Sequence, residues 1–350
     1  MIEVKRFHLF SILGQQQGIA LLVVLWVMTM LTIIVGQFCY SARSETNITR
    51  NFRDSTKAYY QSRAGIQYAL WHLLWADKKV TDGKAESNPP PWRMNVDNPQ
   101  VELGDGSFSV RIGNLSGLIN INLAGSELLD LMLVGLELDD NVRKIIVDSI
   151  QDWRDADSLH RLNGAENDYY QRLPEPYSCQ NGPFRSVDEL LLVRGVTRDI
   201  LQAIRGKITI YPQGISDQTR KKLEMKKKKN KKVKIPSMEQ KLLNINAAPP
   251  EVLALLPGMN DSAIRNIIDF RRDADFRSHS EVSEVIGEKI YQQLSRYITL
   301  DNTPYYTLTS TGQVADSQAE YTVFTIVEID TDNNGYRYVQ WLDSHGELRN

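Results

Sequence analysis

Residues 152–168 bring together Asp152, Asp155, Asp157, Glu166, Asn167 and Asp168. Carboxylates this close repel one another unless a cation joins them. Calcium would suit them: it takes about six to eight oxygen ligands at roughly 2.3–2.6 Å and accepts irregular loops. Gly164 lies where a turn would carry Glu166 and Asp168 back towards the segment holding Asp152 and Asp155. The spacing is not that of an EF-hand, and a solvated acidic loop with helix caps accounts for the same residues. Residues 158–183 carry no apolar period, and a stretch of that length needs a reason to stay ordered. His160, in the same loop, has no Cys or His partner at ligand spacing and does not make a zinc site. Cys179 is in this loop and Cys39 ends an apolar segment. The two are expected far apart and unbridged.

Other chemistry is missing from the pattern. There is no Ser/His/Asp set, no Gly-rich phosphate loop ending in Lys-Ser or Lys-Thr, and no paired acid–base motif, so no enzyme is expected. Lys and Arg number 41 against 43 Asp and Glu, a net charge of -2 over 350 residues. That balance argues against a protein that coats nucleic acid. Two cysteines exclude a disulfide-dense secreted scaffold. The length is enough for about two domains.

These acidic residues need elements to position them, and the apolar residues that would form those elements are unevenly spread. From Phe7 to Ala42 no formally charged residue occurs. Residues 19–36 are apolar-rich, and as a helix they rise about 27 Å, close to the thickness of a bilayer core. Lys5 and Arg6 on the N-terminal side favour a cytoplasmic N-terminus with the rest of the chain translocated. Polar Gln15–Gln17 and Gly18 end abruptly where the apolar run starts. Beyond it, residues 41–76 hold no Pro and one Gly, Gly65. Tyr59, Tyr60, Ala64, Tyr68, Leu70, Trp71 and Leu74 recur at roughly helical spacing. One helix over 19–76 is expected, with 19–42 in the membrane. An anchor followed by a separate helix is the alternative.

The middle of the chain repeats itself. Asn-Ile-Asn stands at 120–122 and 244–246, followed by Glu127 and Glu251, then by Gly135 and Gly258. Arg-Asp-Ala-Asp stands at 154–157 and 272–275, and Phe-Arg-Ser at 184–186 and 276–278. Glu189, Val193 and Gly195 match Glu281, Val285 and Gly287. Ser186 with Glu189, and Ser278 with Glu281, read as capping boxes. Pro249 and Pro250 suit a helix first turn, and a helix is expected over 263–271. This is a helix-hairpin-helix pattern, with modules at 120–210 and 244–300. The first contains the inserted loop 158–183.

Helix-hairpin-helix modules can bind DNA through backbone N–H groups aimed at phosphate. The alternative reading is therefore a membrane-anchored, competence-like DNA-binding protein. The hairpins at 194–197 and 257–260 carry one Arg between them, and Asp261 follows the second. The basic run 226–234 falls between the modules, in a segment, 211–243, that reads as a solvated linker. DNA is therefore an unlikely partner.

Alternating residues at 107–112 precede the duplication, and 305–310, 320–328 and 335–342 follow it, all reading as strands. Residues 331–335 give a turn. The expected fold is α+β: a long N-terminal helix packed on a small antiparallel sheet from 77–119 and 301–350. A large all-α region of two helix-hairpin-helix (SAM-like) modules is inserted into it.

Several features together carry a family resemblance: a polar leader ending at Gly18 against an apolar helix, Val23, the Asp-Trp-Arg-Asp-Ala-Asp string at 152–157, Gly-Ala-Glu-Asn-Asp-Tyr-Tyr at 164–170, and Asn-Ile-Asn at 244–246. With the strands they resemble the K-type minor pseudopilins of type II secretion systems across nearly the whole chain. The resemblance implies cleavage after Gly18 by a prepilin peptidase, with methylation of the new N-terminus at Ile19. The family's fifth mature residue is usually Glu; here it is Val23. In the K type this departure implies a place at the filament tip, where no subunit above needs the carboxylate. The implied partners are the I- and J-type minor pseudopilins and the major pseudopilin. The implied location is the inner membrane, single pass, with the C-terminal bulk in the periplasm. The implied cofactor is Ca2+, at Asp152, Asp155, Asp157, Glu166 and Asp168.

Overall fold

Without proline and with one glycine over 41–76, nothing in the sequence stops the apolar helix at the membrane edge. The computed structural model describes residues 16–76, 92–96, 98–211, 242–330 and 335–344, and in it a single helix α1 runs Gln16–Trp71. One π turn, His72–Ala76, ends it. The helix begins three residues ahead of the expected Ile19. The leader up to residue 15, the loop 77–91, the basic linker 212–241, the turn 331–334 and residues 345–350 lie outside the described residues.

The chain divides into two units, Met1–Lys57 and Ala58–Asn350. In the first, the helical residues Ile19–Tyr40 expose apolar side chains such as Leu21, Trp26, Ile33 and Phe38, as a helix built to face lipid or other helices would. The hydroxyls of Thr29 and Thr32 donate back to the carbonyls of Trp26 and Met28, so these polar groups are satisfied within the helix.

In the second unit, strands β1 (Val101–Leu103) and β2 (Gly106–Asn114) come before the helical region. Inside it are the two-residue strands β3 (Ile119–Asn120), β4 (Ile208–Thr209), β5 (Leu243–Asn244) and β6 (Ile298–Thr299). After it come β7 (Tyr305–Val314), β8 (Glu320–Asp330) and β9 (Gly335–Ser344). The main sheet has the order β1-β2-β7-β8-β9, with every pair antiparallel. β2 and β7, over 190 residues apart in sequence, are therefore neighbours, and the helical region is an insertion between them. The four expected strands are present, each longer than its alternation showed. The short β1, joined to β2 through Gly104 at φ +62°, was not expected.

One face of the sheet packs on the second part of α1 and on the π turn that ends it. Ile66, Ala69, Leu70 and Leu74 are buried against Phe108, Val110, Ile112, Leu308, Val323, Val327 and Ile329. A larger core fills the helical region, from Ile119 to Tyr297 and Ile298.

Both repeats are built on the same bonds. Ile121 N–H donates to Thr209 and Ile245 N–H to Thr299, extending the parallel pairs β3–β4 and β5–β6. Asn122 clamps Phe184 by accepting from its N–H and donating to its C=O, and Asn246 does the same to Phe276. Arg154 donates to the carbonyls of Ile121 and Ala124, and Arg271 to those of Ile245 and Ala248. Here the structure corrects the sequence match. The repeated tetrapeptide pairs Arg154 with Arg272, whereas the bonds pair it with Arg271, one residue earlier. Gly195 and Gly287 do correspond, at φ +87° and +88°. Ser278 caps the helix His279–Ile286 by accepting from Glu281 N–H, but Glu281 reaches back to Arg277 rather than to the cap residue itself. The helix expected over 263–271 runs Asp261–Asp273.

Candidate functional site

The acidic loop is placed by a helix, an aromatic cluster and a returning strand of chain. The helix Asp140–Arg154 buries Ile146, Val147, Ile150 and Trp153 on one face. The same face carries Asp152, whose side chain is 0% exposed. The Trp153 ring packs on Tyr170, Tyr177 and Phe184, with centroids 5.2–6.3 Å apart. Tyr170, Ala165 and Cys179 are buried from within the loop, so a stretch without apolar periodicity still has an apolar anchor. Asn163 donates its N–H and Nδ2 to Asp148, and Cys179 N–H donates to Asn167 Oδ1. Arg194 lies over Tyr169 and donates to Gly164 C=O.

Gly164 passes directly over Asp152, whose carboxylate any Cβ at that position would strike. That contact explains the glycine better than a turn requirement does.

The acidic residues do not share one environment. Asp152 is fully engaged by Arg161. The Arg161 backbone N–H donates to both carboxylate oxygens at 3.3 and 3.1 Å, and the guanidinium to Oδ1 at 2.5 Å. The same guanidinium nitrogen donates to Asp155 Oδ2 at 2.7 Å. Asp157 is exposed and accepts from Leu159 N–H in a local turn. Asp168 faces outwards, 3.8 Å from His160 Nε2. Glu166 is 2% exposed, and neither of its oxygens has a hydrogen-bond partner. The Cys179 thiol interacts with it but is a weak donor.

Among the described residues no group of three or more His, Cys, Asp or Glu side chains is placed to hold a metal ion as it stands. The structure therefore brings Asp152 and Asp155 together through Arg161, sets Glu166 beside them, and leaves Asp157 and Asp168 on the outside.

Besides Ser149 Oγ and the Trp153 indole N–H, four oxygens in and beside the loop are unsatisfied. Asp155 Oδ1, both Glu166 oxygens and Asn181 Oδ1 are buried and without a partner. All four are acceptors of the hard-oxygen kind that calcium takes. Asn181, at φ +45°, donates its Nδ2 to Asp157 C=O, so its oxygen is turned the other way. The donor set fits a hard cation. Sequence reasoning missed Asn181 and Arg161. Asn181-Gly182 reads as a turn, and a cation amid acids reads as a surface pair.

Burial holds Glu166 above the usual carboxylate range, reinforced by the charges of Asp152 and Asp155. Burial also raises Asp152, against the opposing pull of Arg161. The buried Cys179 thiol is pushed up to about 11 and stays protonated at neutral pH. Both cysteines are free thiols. Cys179 is buried and Cys39 is exposed.

At the other end of the sequence, Ile19 and Val23 sit on α1 with 65% and 53% of their surface exposed. Gly18 is already inside the helix.

Comparison with known proteins bears on the region of the acidic loop. A protein-family model described as type II secretion system protein K matches residues 113–213, the stretch that contains the acidic loop. A type II secretion system protein K of Aeromonas hydrophila is 25% identical over 263 residues, covering 69% of this chain and 70% of its own length. A putative type II secretion system protein K of Escherichia coli is 23% identical over 208 residues, 57% of this chain and 64% of its own. A protein K of Pectobacterium carotovorum is 25% identical over 217 residues, again 64% of its own length. The fold is similar to a chain in the crystal structure of the GspK-GspI-GspJ complex from the type 2 secretion system of enterotoxigenic Escherichia coli. The TM-score is 0.54 at 16% identity, over 85% of this chain and 99% of that one.

Proposed function

We infer that this chain, whose family match, relatives and fold all resemble the K proteins of type II secretion systems, acts as a minor pseudopilin in protein export. The observation that carries this is the match of residues 113–213 to the protein K model, on a chain whose described residues include one helix long and apolar enough to cross a membrane. Such a protein is a structural component rather than an enzyme. The membrane-anchored DNA-binding alternative has no support from the relatives.

A prepilin peptidase cuts after Gly18, and the mature chain starts at a methylated Ile19. The apolar part of α1 anchors the subunit in the inner membrane with its bulk in the periplasm. The subunit joins I- and J-type minor pseudopilins, and through them the major pseudopilin. Val23, unable to offer a carboxylate, suits the tip position. The duplicated region acts as two helix-hairpin-helix modules that form a rigid cap. The acidic loop holds Ca2+ through Asp155 and Glu166, with Asp152 behind them and Asp157 and Asp168 at its rim. When bound, the ion supplies positive charge that cross-links the loop to the helix Asp140–Arg154.

N-terminal mass analysis of membrane-extracted protein tests the core of this. Methylated Ile19 is the expected result, and an intact Met1 in cells with an active peptidase overturns it. Calcium is tested by thermal unfolding of the detergent-solubilised chain. The midpoint should rise with CaCl2 and fall with chelator, and an unchanged midpoint removes the ion.

A further inference from the structure

We propose that Arg161 is a positioning residue that sets the charge of the acidic-loop site to match a divalent ion, and that Asn181 is one of the ion's ligands. The inference rests on the cation reading above and goes beyond it.

Two observations carry it. The first is which atoms are satisfied. Asp152 accepts three bonds from Arg161, so it is a support for the guanidinium rather than a free ligand. Asp155 is held by Oδ2 alone, which leaves Oδ1 without a partner. The unsatisfied oxygens then belong to Asp155, Glu166 and Asn181. Arg161 thus keeps one oxygen of Asp155 for itself and leaves the other available.

The second observation is charge. Asp152 and Glu166, both buried, and Asp155, 28% exposed on its side chain, bring three negative charges together, and Arg161, 37% exposed, contributes one positive charge. The remainder is two negative charges, which a dication neutralises. In a partly desolvated site, an excess or shortfall of one charge counts heavily. Asp157 and Asp168 are exposed or half-exposed, and water screens them. Arg161 cannot easily leave: its backbone N–H is bonded to the same carboxylate that its side chain grips.

The test compares Ca2+ with Tb3+ on the full chain in detergent micelles. Binding is followed by calorimetry, and for Tb3+ also by luminescence sensitised through Trp153. Arg161→Gln makes the site more negative by one charge. The Tb3+ to Ca2+ affinity ratio should rise about tenfold or more over the unsubstituted chain. Asp152→Asn makes the site less negative by one, and the ratio should fall. Asn181→Ala should weaken both ions and leave the ratio unchanged.

Loss of packing alone would weaken both ions without moving the ratio, so a ratio held within about twofold in Arg161→Gln overturns the proposal. If that variant does not fold, Asp152→Asn decides in the same way, with an unchanged ratio as the overturning result. Unaltered binding in Asn181→Ala removes that ligand. Absence of binding by either ion to the unsubstituted chain sinks the calcium reading instead, which is a different outcome from any of these.

Discussion

Glu166 is a carboxylate buried without a hydrogen-bond partner, and such a group destabilises a fold unless it is neutralised. Its pKa is raised, first by burial and then by Asp152 and Asp155. The folded chain therefore binds a proton where the unfolded chain has lost it, and stability falls as pH rises through that window. In chelator, the unfolding midpoint should drop as pH climbs upward from the ordinary carboxylate range. Calcium should reverse that slope, because it binds the ionised form. Glu166→Gln should raise the midpoint in chelator at neutral pH and abolish the calcium response. A midpoint in chelator that is lower than that of the unsubstituted chain would show that the charged form is already satisfied. The acidic cluster was legible in the sequence because acids are visible one at a time. Its division into held, free and exposed groups was not, because that depends on where Arg161 and Asn181 fold back.

At the scale of elements, tight contacts decide which residues are interchangeable. Gly65 sits where α1 crosses the sheet. A Cβ there would collide with Ser310 Oγ and stand 2.9 Å from Phe108 Cδ2 and Val110 Cγ2. Gly65→Ala gains helix propensity of about 1 kcal/mol but forces the helix off the sheet, for a net loss of about 1–2 kcal/mol. Gly36 meets nothing within 4 Å, so Gly36→Ala should leave the unfolding of the sheet domain unchanged within about 0.5 kcal/mol. An equal gain in stability from both substitutions would mean that propensity, not crossing distance, sets the effect.

The repeat supplies a second comparison. Arg271 is 2% exposed and donates to two carbonyls. Burial lowers its pKa to about 9, which still leaves it charged at neutral pH. Arg271→Ala strips the donors from two carbonyls and leaves a cavity, so denaturant unfolding should show a loss of about 3 kcal/mol. Arg272, which the sequence match favoured, is 68% exposed on its side chain, and Arg272→Ala should be near neutral. The duplication and the four long strands were legible because their periods are local. The one-residue offset was not, since only bonds to carbonyls more than twenty residues away reveal it.

For the whole molecule, the decisive quantity is what the N-terminal helix can offer its neighbours in an assembly. Between Phe7 and Ala42 the sequence has no formally charged side chain, and cleavage after Gly18 would leave an ammonium at Ile19 in apolar surroundings. A charge placed there without a partner costs several kcal/mol. Val23 follows Ile19 by about one helical turn, the right height for a carboxylate that pairs with a neighbouring subunit's amine, and a valine cannot do so. On the pseudopilin reading proposed above, a subunit stacked above this one would keep an unpaired ammonium, and that reading therefore puts this chain at the tip. Val23→Glu restores the carboxylate. A carboxylate left unpaired within the bilayer is costly, an expense that pairing with a second subunit removes. In cells carrying the I, J and major pseudopilins, cross-linking should find the Val23→Glu chain with pseudopilin on both sides, and the unsubstituted chain on one side only. If both chains show the same neighbours, the residue at 23 does not set the position in the filament. The bulk of the inserted helical region would then have to account for it alone.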